Sequence, residues 1–236
     1  MGPAIRFRSA VALVGRFPVL AGVDLDVARG EVVLLQGANG AGKTSLLRVC
    51  AGLLRIVSGS AEVLGADVIA DPRAVRRQTG LYGHSTALYD DLSVTDNVRF
   101  AVRAARAPLA GVDAALDTLG LTGRLRRAAV SSLSAGQRRR TALAVLVARD
   151  PGLWLLDEPH AGLDAEHRDL LDRLIRAAAG QGATVVMASH EHDRARLVAD
   201  RSVTIAGGMV LPETSESAAP PTLATDGRRV EASGVG

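Results

Sequence analysis

The segment GANGAGKT at residues 37–44 contains the only lysine of the chain, and the rest of its 28 basic residues are arginines. Its G-x-x-x-x-G-K-T spacing predicts a loop whose glycines let consecutive backbone N–H groups turn toward phosphate oxygens. The ammonium of Lys43 fits between such amides and bridges two phosphates, whereas a planar guanidinium is too wide. The predicted phosphate-binding residues are Gly37, Ala38, Asn39, Gly40, Ala41, Gly42, Lys43, Thr44 and Ser45.

Two carboxylates, Asp157 and Glu158, follow the apolar run LWLL at residues 153–156. Because α/β sheets bind their ligands at the carboxyl ends of strands, both side chains are expected at such an edge. Asp157 and the hydroxyl of Thr44 are predicted to hold Mg²⁺, and Glu158 to orient and deprotonate an attacking water. The loop and the carboxylates together predict a P-loop nucleotidase that uses Mg²⁺, with Lys43 and Glu158 as catalytic residues.

A third motif, LSAGQ, occupies residues 133–137. Ser134 and Gln137 have the spacing of a capping box, in which the serine starts a helix whose free N–H groups face outward. Gly136 leaves room for a phosphate to approach the backbone. Taken alone, the pattern is equally that of an ordinary helix cap. Between the glycine loop and the carboxylate pair, however, it resembles the LSGGQ signature of ABC-transporter ATPases.

Two more positions match that family in the same order along the chain. Asp164, in AGLD, stands where the family has its D-loop aspartate, and His190 stands at the switch-histidine position. The resemblance extends over roughly residues 5–211 and implies that His190 is a catalytic residue in contact with the γ-phosphate.

The resemblance also implies a partner subunit. Two ATPase subunits of this family form a head-to-tail dimer with ATP held between the glycine loop of one and the signature of the other. Ser134, Gly136 and Gln137 would then bind the nucleotide of the partner subunit, with Asp164 as a further nucleotide-site residue. ATP-driven closure would move separate integral membrane subunits, which dock between the helical insertion and the α/β core. This arrangement places the chain in the cytoplasm, peripheral on the inner face of the cell membrane.

The sequence departs from the family pattern at three positions, and one of them, Ala135 in place of the first signature glycine, is a small change that the fold should tolerate. The Q-loop glutamine is expected within residues 83–85, where this chain has His84, which we predict to contact the metal-bound water instead. An aromatic residue that stacks on adenine is expected near residues 14–17. Val14 occupies the usual position, and Phe17 is the nearest ring, although Phe17 is equally a candidate for the core.

Three subtype features narrow the resemblance: the Gly83-His84 pair, LSAGQ followed by arginines, and Trp154 before the carboxylates. Together they resemble the haem-exporter ATPase of cytochrome c maturation, which implies the membrane partners of that system. An ATPase of a multidrug or polysaccharide-type exporter shares all the central motifs and stays open as an alternative. A soluble ABC-type ATPase acting on DNA or ribosomes is a further alternative, but such proteins usually carry long coiled coils or two cassettes. A non-hydrolysing regulatory nucleotide binder is disfavoured by Glu158 and His190.

The elements that must position these motifs follow from hydrophobic periodicity. Apolar runs predict strands at residues 4–14, 19–26, 31–36, 153–156 and 183–188, an extended pair at 61–68 and a hairpin at 202–210. Amphipathic spacing predicts helices at residues 43–54 and 165–179, and a helix that begins at Ser93.

The predicted fold class is α/β: a RecA-like P-loop NTPase core with a mainly parallel sheet, N-terminal antiparallel strands and an inserted α-helical subdomain. The predicted core comprises residues 1–83 and 142–211, and the helical signature subdomain comprises residues 84–141. Residues 212–236 are rich in Ser, Thr, Pro, Ala and Gly and are predicted to be a disordered tail.

Composition excludes several other classes of protein. The net charge of +3 is mild and acidic residues alternate with basic ones, so no direct nucleic-acid partner is expected. The basic run at residues 138–140 is expected to be a solvated helix face. A single cysteine, Cys50, rules out an internal disulfide. No apolar run approaches the roughly 20 residues of a spanning helix, so any membrane role is expected to come through a partner.

Overall fold

The computed structural model describes residues 2–83 and 85–212. His84 and residues 213–236 lie outside the described residues, as does nearly all of the predicted tail. Two sheets and seven α-helices form the described part of the chain. The architecture confirms the predicted α/β class, with an antiparallel N-terminal sheet beside a mainly parallel one.

The antiparallel sheet carries the N-terminal strands and has the order β2-β1-β4-β5. Its strands are β1 (Ile5–Val14), β2 (Phe17–Val27), β4 (Ile56–Val63) and β5 (Ala66–Asp67). β1 pairs antiparallel with both β2 and β4, so it lies at the centre of the sheet. The extended pair predicted at residues 61–68 is present but begins earlier, at Ile56.

The second sheet has six strands in the order β10-β9-β3-β8-β7-β6, all parallel except β10. Its strands are β3 (Val32–Gln36), β6 (Thr79–Tyr82), β7 (Leu153–Asp157), β8 (Thr184–Ala188), β9 (Arg201–Ala206) and β10 (Met209–Val210). Strands covered on both faces read as continuous apolar runs rather than alternating ones. This is why the sequences of β3, β7 and β8 predict buried strands so clearly.

Strand β3 shows how the sheet separates two apolar cores. Val32 and Leu34 pack into a core shared with α3 to α7, whereas Val33 and Leu35 pack into a core shared with α1 and the antiparallel sheet. The period of two along a strand sends successive side chains to opposite faces, and here both faces are apolar. The parallel sheet therefore lies between two layers, with its carboxyl edge left free for a site.

The helices are α1 (Lys43–Cys50), α2 (Pro72–Gln78), α3 (Val94–Ala104), α4 (Val112–Thr118), α5 (Ala135–Arg149), α6 (Ala165–Gly180) and α7 (His192–Val198). Helix α1 ends before the predicted residue 54, because Gly52 has a φ of +64° and stops the helix in the left-handed region. Ser93 caps α3 as predicted, since its side chain accepts a hydrogen bond from the Asp96 N–H. In the ranges described, no helix combines the length and apolar character that crossing a membrane requires.

Candidate functional site

The glycine loop connects β3 to α1 and is closely packed against two other strands. Gly37 has a φ of +141°, and a Cβ there would lie 2.1 Å from the carbonyl oxygen of Ile205. Gly42 has a φ of +114°, and its Cβ would lie 2.7 Å from the carbonyl oxygen of Val19. Only glycine fits these positions, so the loop is fixed in a curled conformation between β9 and β2.

Lys43 is the first residue of α1 and is only 8% exposed. Its Nζ donates hydrogen bonds to the carbonyl oxygens of Gly37 at 2.6 Å and Ala38 at 3.1 Å. Both acceptors are neutral, so the buried positive charge is hydrogen-bonded but not balanced by them. An anion lying against the loop would supply that balance, and a phosphate group has the required charge.

Thr44 and Asp157 meet at the head of α1. The Thr44 Oγ1 donates a 2.8 Å hydrogen bond to the Asp157 Oδ2, which joins the glycine loop to the end of β7. A hydroxyl and a carboxylate are hard oxygen ligands, and Mg²⁺ in nucleotide sites takes one or two such protein ligands besides phosphates and waters. The two side chains therefore fit a magnesium ion carried by a nucleotide.

Glu158 and His190 form a second contact beside this pair. The backbone N–H of His190 donates to the Glu158 Oε2 at 3.0 Å, and the His190 Nε2 lies 3.4 Å from the Glu158 Oε1. The Glu158 N–H in turn donates to the Ala188 carbonyl at 2.8 Å. Glu158 has a φ of +51°, a region that a residue with a side chain adopts only when its surroundings enforce it.

These residues line one cavity of about 340 Å³ at the carboxyl edge of the parallel sheet. It is lined by Val19, Asn39, Gly40, Ala41, Gly42, Lys43, Thr44, Ser45, Asp157, Glu158 and His190. The structure thus brings together the two motifs and the histidine that the sequence singled out separately. A loop that can bind an anion, a hydroxyl and carboxylate that can hold a metal ion, and a carboxylate beside a histidine are the components that phosphoryl transfer to water requires.

The LSAGQ segment forms the capping box that its spacing predicts, at the start of α5. The Gln137 N–H donates to the Ser134 Oγ at 3.2 Å, and the Ser134 N–H donates to the Gln137 Oε1 at 3.0 Å. Ser134 is exposed, and a Cβ on Gly136 would meet no atom within 4 Å. Among the described residues that line the glycine-loop cavity, none comes from α5. Ser134 and Ala135 are therefore exposed to solvent within this chain, whereas Leu133 is buried.

Asp164 is the N-cap residue of α6 and follows the carboxylate pair in the sequence. Its carboxylate accepts the backbone N–H of His167 at 2.9 Å and contacts the His167 Nδ1 at 2.6 Å. The backbone hydrogen bond, followed by the side-chain contact, lowers the pKa of Asp164 below the ordinary value for aspartate.

The two remaining predicted site residues are Phe17, for adenine stacking, and His84, for contact with the metal-bound water. Phe17 is 77% exposed and belongs to neither apolar core, and it lies two residues before Val19 in β2. Its contact with an adenine ring stays a prediction. His84 follows Gly83, whose Cβ position is 3.4 Å from the Asp157 Cβ, but His84 itself is not described.

Arg139 is a residue that the sequence interpretation missed, because the run at residues 138–140 was expected to be a solvated face. Its side chain instead turns inward, and its Nη2 donates to the Glu158 carbonyl oxygen at 3.2 Å. Arg139 lies three and four residues before the buried Ala142 and Leu143 on α5. That helical spacing is the signal that could have placed it on the inner face.

Comparison with known proteins agrees with this geometry. The sequence model described as "ABC transporter" matches residues 20–161. The chain is 43% identical to the cytochrome c biogenesis ATP-binding export protein CcmA of Rhodopseudomonas palustris, over 73% of this chain and 84% of that protein. It is 38% identical to the sulfate/thiosulfate import ATP-binding protein CysA 1 of Agrobacterium fabrum, over 83% of this chain and 58% of that protein.

Among solved structures, the ATP-binding subunit of an ABC transporter superposes with a TM-score of 0.81 and 25% identity, covering 88% of each chain. The matched family segment includes the glycine loop, the LSAGQ helix and both carboxylates. The chain therefore belongs to the ABC transporter family, as one of its ATP-binding and ATP-hydrolysing subunits.

Proposed function

We propose that this chain energises export through separate membrane subunits in the haem-handling system of cytochrome c maturation. The observation that carries the ATPase part is the meeting of Lys43, Thr44, Asp157, Glu158 and His190 in one cavity. The export part is supported by 43% identity to a cytochrome c biogenesis export ATPase. LSAGQ followed by arginines, and Trp154 before the carboxylates, add to that support.

The proposed nucleotide contacts follow from the loop geometry. The amides of residues 37–45 surround the β- and γ-phosphates, and Lys43 leaves its carbonyl partners to bridge them. Thr44 and Asp157 hold Mg²⁺, with His84 as a further contact through water. The ion, when bound, neutralises charge on the phosphate oxygens. The exposed ring of Phe17 stacks on the adenine.

Glu158 is proposed as the general base for the attacking water. Its carboxylate accepts the His190 N–H and lies near the His190 Nε2, so its orientation is fixed relative to the loop after β8. His190 is half exposed and lines the cavity, which supports its proposed contact with the γ-phosphate. The pair would thus hold the water in line with the bond that breaks.

A second copy or a homologous ATPase subunit is proposed to complete the site. Ser134, Gly136 and Gln137 lie at an outward-facing helix start, where free N–H groups attract an anion. Ser134 is exposed and Gly136 has open space around it, so a phosphate from another subunit can approach. Asp164, on a neighbouring exposed turn, is proposed to lie at the same dimer interface.

The membrane subunits are proposed to dock on a groove of about 560 Å³ beside α2 and α3. Tyr89 and Phe100 form an edge-to-face pair there, 5.0 Å between ring centroids, and both rings are about half exposed. The groove lies between the proposed α/β core (residues 1–83 and 142–211) and the proposed helical subdomain (residues 84–141). Docking there would hold the chain on the inner face of the cell membrane.

Deletion of the gene in its native organism tests the haem-export assignment. The expected result is loss of covalently haem-stained c-type cytochromes, restored by the wild-type chain but not by Lys43→Ala. Affinity purification of the wild-type chain from native membranes should also recover multi-span membrane proteins. Normal levels of c-type cytochromes in the deletion strain would contradict this subtype while leaving the ATPase assignment intact.

An import ATPase is the second candidate, because the chain is 38% identical to a sulfate/thiosulfate import subunit. The chain spans only 58% of that relative, which favours the export reading. Failure of the deletion strain to grow on sulfate, with unchanged c-type cytochromes, would support import instead.

A further inference from the structure

Arg139 projects from the start of α5 into the space between three segments of the α/β core. Its Nη2 donates to the Glu158 carbonyl oxygen at 3.2 Å. Its guanidinium carbon lies 5.7 Å from the centroid of the Tyr82 ring, within the range of a cation–π contact. A Cβ on Gly162 would lie 3.2 Å from the Arg139 Cδ, so the arginine stem fills the space beside that glycine. The Arg139 side chain, at the start of α5, therefore contacts the segments that contain Tyr82, Glu158 and Gly162.

Each of these segments leads directly to a residue of the proposed site. Tyr82 ends β6 and is followed by Gly83, which lies beside Asp157. Gly162 has a φ of +72° and lies in the turn that ends at Asp164, the cap of α6. Glu158 is the proposed general base itself. Arg139 thus lies where the turns around the hydrolytic carboxylate converge.

The backbone of Glu158 needs such support because its φ of +51° is unfavourable for a residue with a side chain. It is held on both sides: its N–H donates to Ala188, and its carbonyl accepts from Arg139 and from the Ala161 N–H. Of these partners only Arg139 belongs to the helical segment, and only Arg139 carries a charge. A charge-assisted hydrogen bond is the stronger kind, so this contact fixes the Glu158 backbone relative to α5.

The neighbouring arginine shows that this arrangement is particular to residue 139. Arg138 forms an ion pair with Asp90 at 2.6 Å, and Asp90 is largely exposed. Within the described ranges, Arg139 has no carboxylate partner, and its Nε is buried without a hydrogen-bond acceptor. The charge of Arg139 is therefore directed at a carbonyl and a ring of the α/β core rather than at a surface ion pair.

We propose that Arg139 is a positioning residue that couples α5, the helix that begins within LSAGQ, to the proposed general base Glu158. The proposal rests on the proposed function, in which the start of α5 receives the nucleotide of the partner subunit. A movement of α5 on closure is transmitted through the Arg139 guanidinium to the Glu158 carbonyl, which sets the direction of the Glu158 carboxylate. Nucleotide binding at the glycine loop does not involve Arg139, whereas the hydrolytic step depends on it.

The test compares Arg139→Gln with Arg138→Gln in the full chain, purified together with the membrane subunits it binds. Both variants lose one positive charge from the same turn of the same helix. Arg139→Gln is expected to lower kcat by about tenfold or more with KM within about twofold of wild type. Arg138→Gln is expected to keep kcat and KM within about twofold of wild type, since exposed ion pairs contribute little. Equal kcat values for the two variants would overturn the proposal.

Arg139→Lys separates positioning from simple loss of packing, and it decides the matter if the glutamine variant does not fold. Lysine keeps the charge over Tyr82 and the stem over Gly162 but lacks the planar fork. Its kcat is expected to fall about threefold, between the wild-type and glutamine values, with unchanged binding of a fluorescent ATP analogue. A lysine variant with wild-type kcat, or with weakened nucleotide binding, would overturn the proposal. Absence of ATP hydrolysis by the wild-type complex would instead contradict the proposed function.

Discussion

The Thr44 hydroxyl donates a 2.8 Å hydrogen bond to the Asp157 carboxylate across 113 residues of sequence. Thr44 is the second residue of α1, the helix after β3, and Asp157 is the last residue of β7. Strand β8 lies between β3 and β7 in the sheet. The contact therefore crosses one strand at the carboxyl edge of the sheet. It joins the glycine loop and the carboxylate proposed to hold Mg²⁺ into one site.

Replacing Thr44 with valine tests this junction, because valine has nearly the same shape without the hydroxyl. Thr44→Val is expected to raise the Mg²⁺ concentration needed for half-maximal hydrolysis by about tenfold, since one oxygen ligand is lost. Thr44→Ser keeps the hydroxyl and is the matched control. Titration of ATPase activity with Mg²⁺ measures the effect, and identical curves for the valine and serine variants would remove Thr44 from the metal site.

The only lysine of the chain gives a prediction about shape as well as charge. Lys43→Ala should abolish ATP binding, and Lys43→Arg should weaken it by about tenfold or more, because the guanidinium is too wide for the loop. Equilibrium binding of a fluorescent ATP analogue measures both affinities, with circular dichroism as a check of folding. Wild-type affinity of the arginine variant would show that charge alone is sufficient at this position.

Gly136 distinguishes a role in the fold from a role in the dimer. Its Cβ position is open, so Gly136→Ala and Gly136→Asp should both fold, and an aspartate near a helix start is favoured by the helix dipole. The aspartate variant should nevertheless lose ATP-dependent dimerisation, because its carboxylate repels the incoming phosphate. Light scattering with and without ATP measures the dimer. A normal dimer of the aspartate variant would contradict the proposed contact of LSAGQ with the partner's nucleotide.

Asp164 gives a prediction about pH. Hydrogen bonds from the His167 backbone and ring lower the pKa of Asp164, so the carboxylate stays ionised to lower pH than a free aspartate. Because the folded-state pKa is the lower one, this group stabilises the fold above the ordinary aspartate pKa. That contribution is lost as pH falls through the folded value.

The His167→Ala variant removes the ring contact but keeps the backbone donor. An NMR titration of Asp164 should show its pKa raised part of the way toward the ordinary value. An unchanged midpoint would mean that the ring has no influence on this carboxylate.

The sequence predicted most of the elements that build the site, because buried parallel strands and glycine loops carry strong local signals. The strands β3, β7 and β8 are continuous apolar runs. Phosphate binding requires the glycines and the lysine of GANGAGKT at their spacing. The meeting of Lys43, Thr44 and Asp157 follows once these strands are placed in one parallel sheet.

Some of the features that the sequence analysis did not predict depend on tertiary contacts. Strand β6 contains Gly80, which local propensity disfavours in a strand. A Cβ at Gly80 would lie 2.3 Å from the end of the Leu146 side chain and 2.8 Å from the Pro151 ring, so the strand packs closely on these side chains at the glycine. Helix α2 was also not predicted, although the sequence carries a signal for it. Asp71 caps the helix and Pro72 is its first residue. Helical spacing could place Arg139 on the inner face of α5, but its contact with the Glu158 carbonyl depends on tertiary structure, which no local pattern contains.

The central claim is that paired copies of this site hold and hydrolyse ATP, and Glu158→Gln tests it most directly. With Mg²⁺ and ATP, the wild-type full chain in complex with its membrane subunits should release phosphate continuously. The glutamine variant should lower that rate by about a hundredfold or more and accumulate as a dimer that retains ATP, because the base is lost while the loop is intact. Unchanged turnover by the variant would contradict the role of Glu158. A wild-type complex that neither binds nor hydrolyses ATP would contradict the account as a whole.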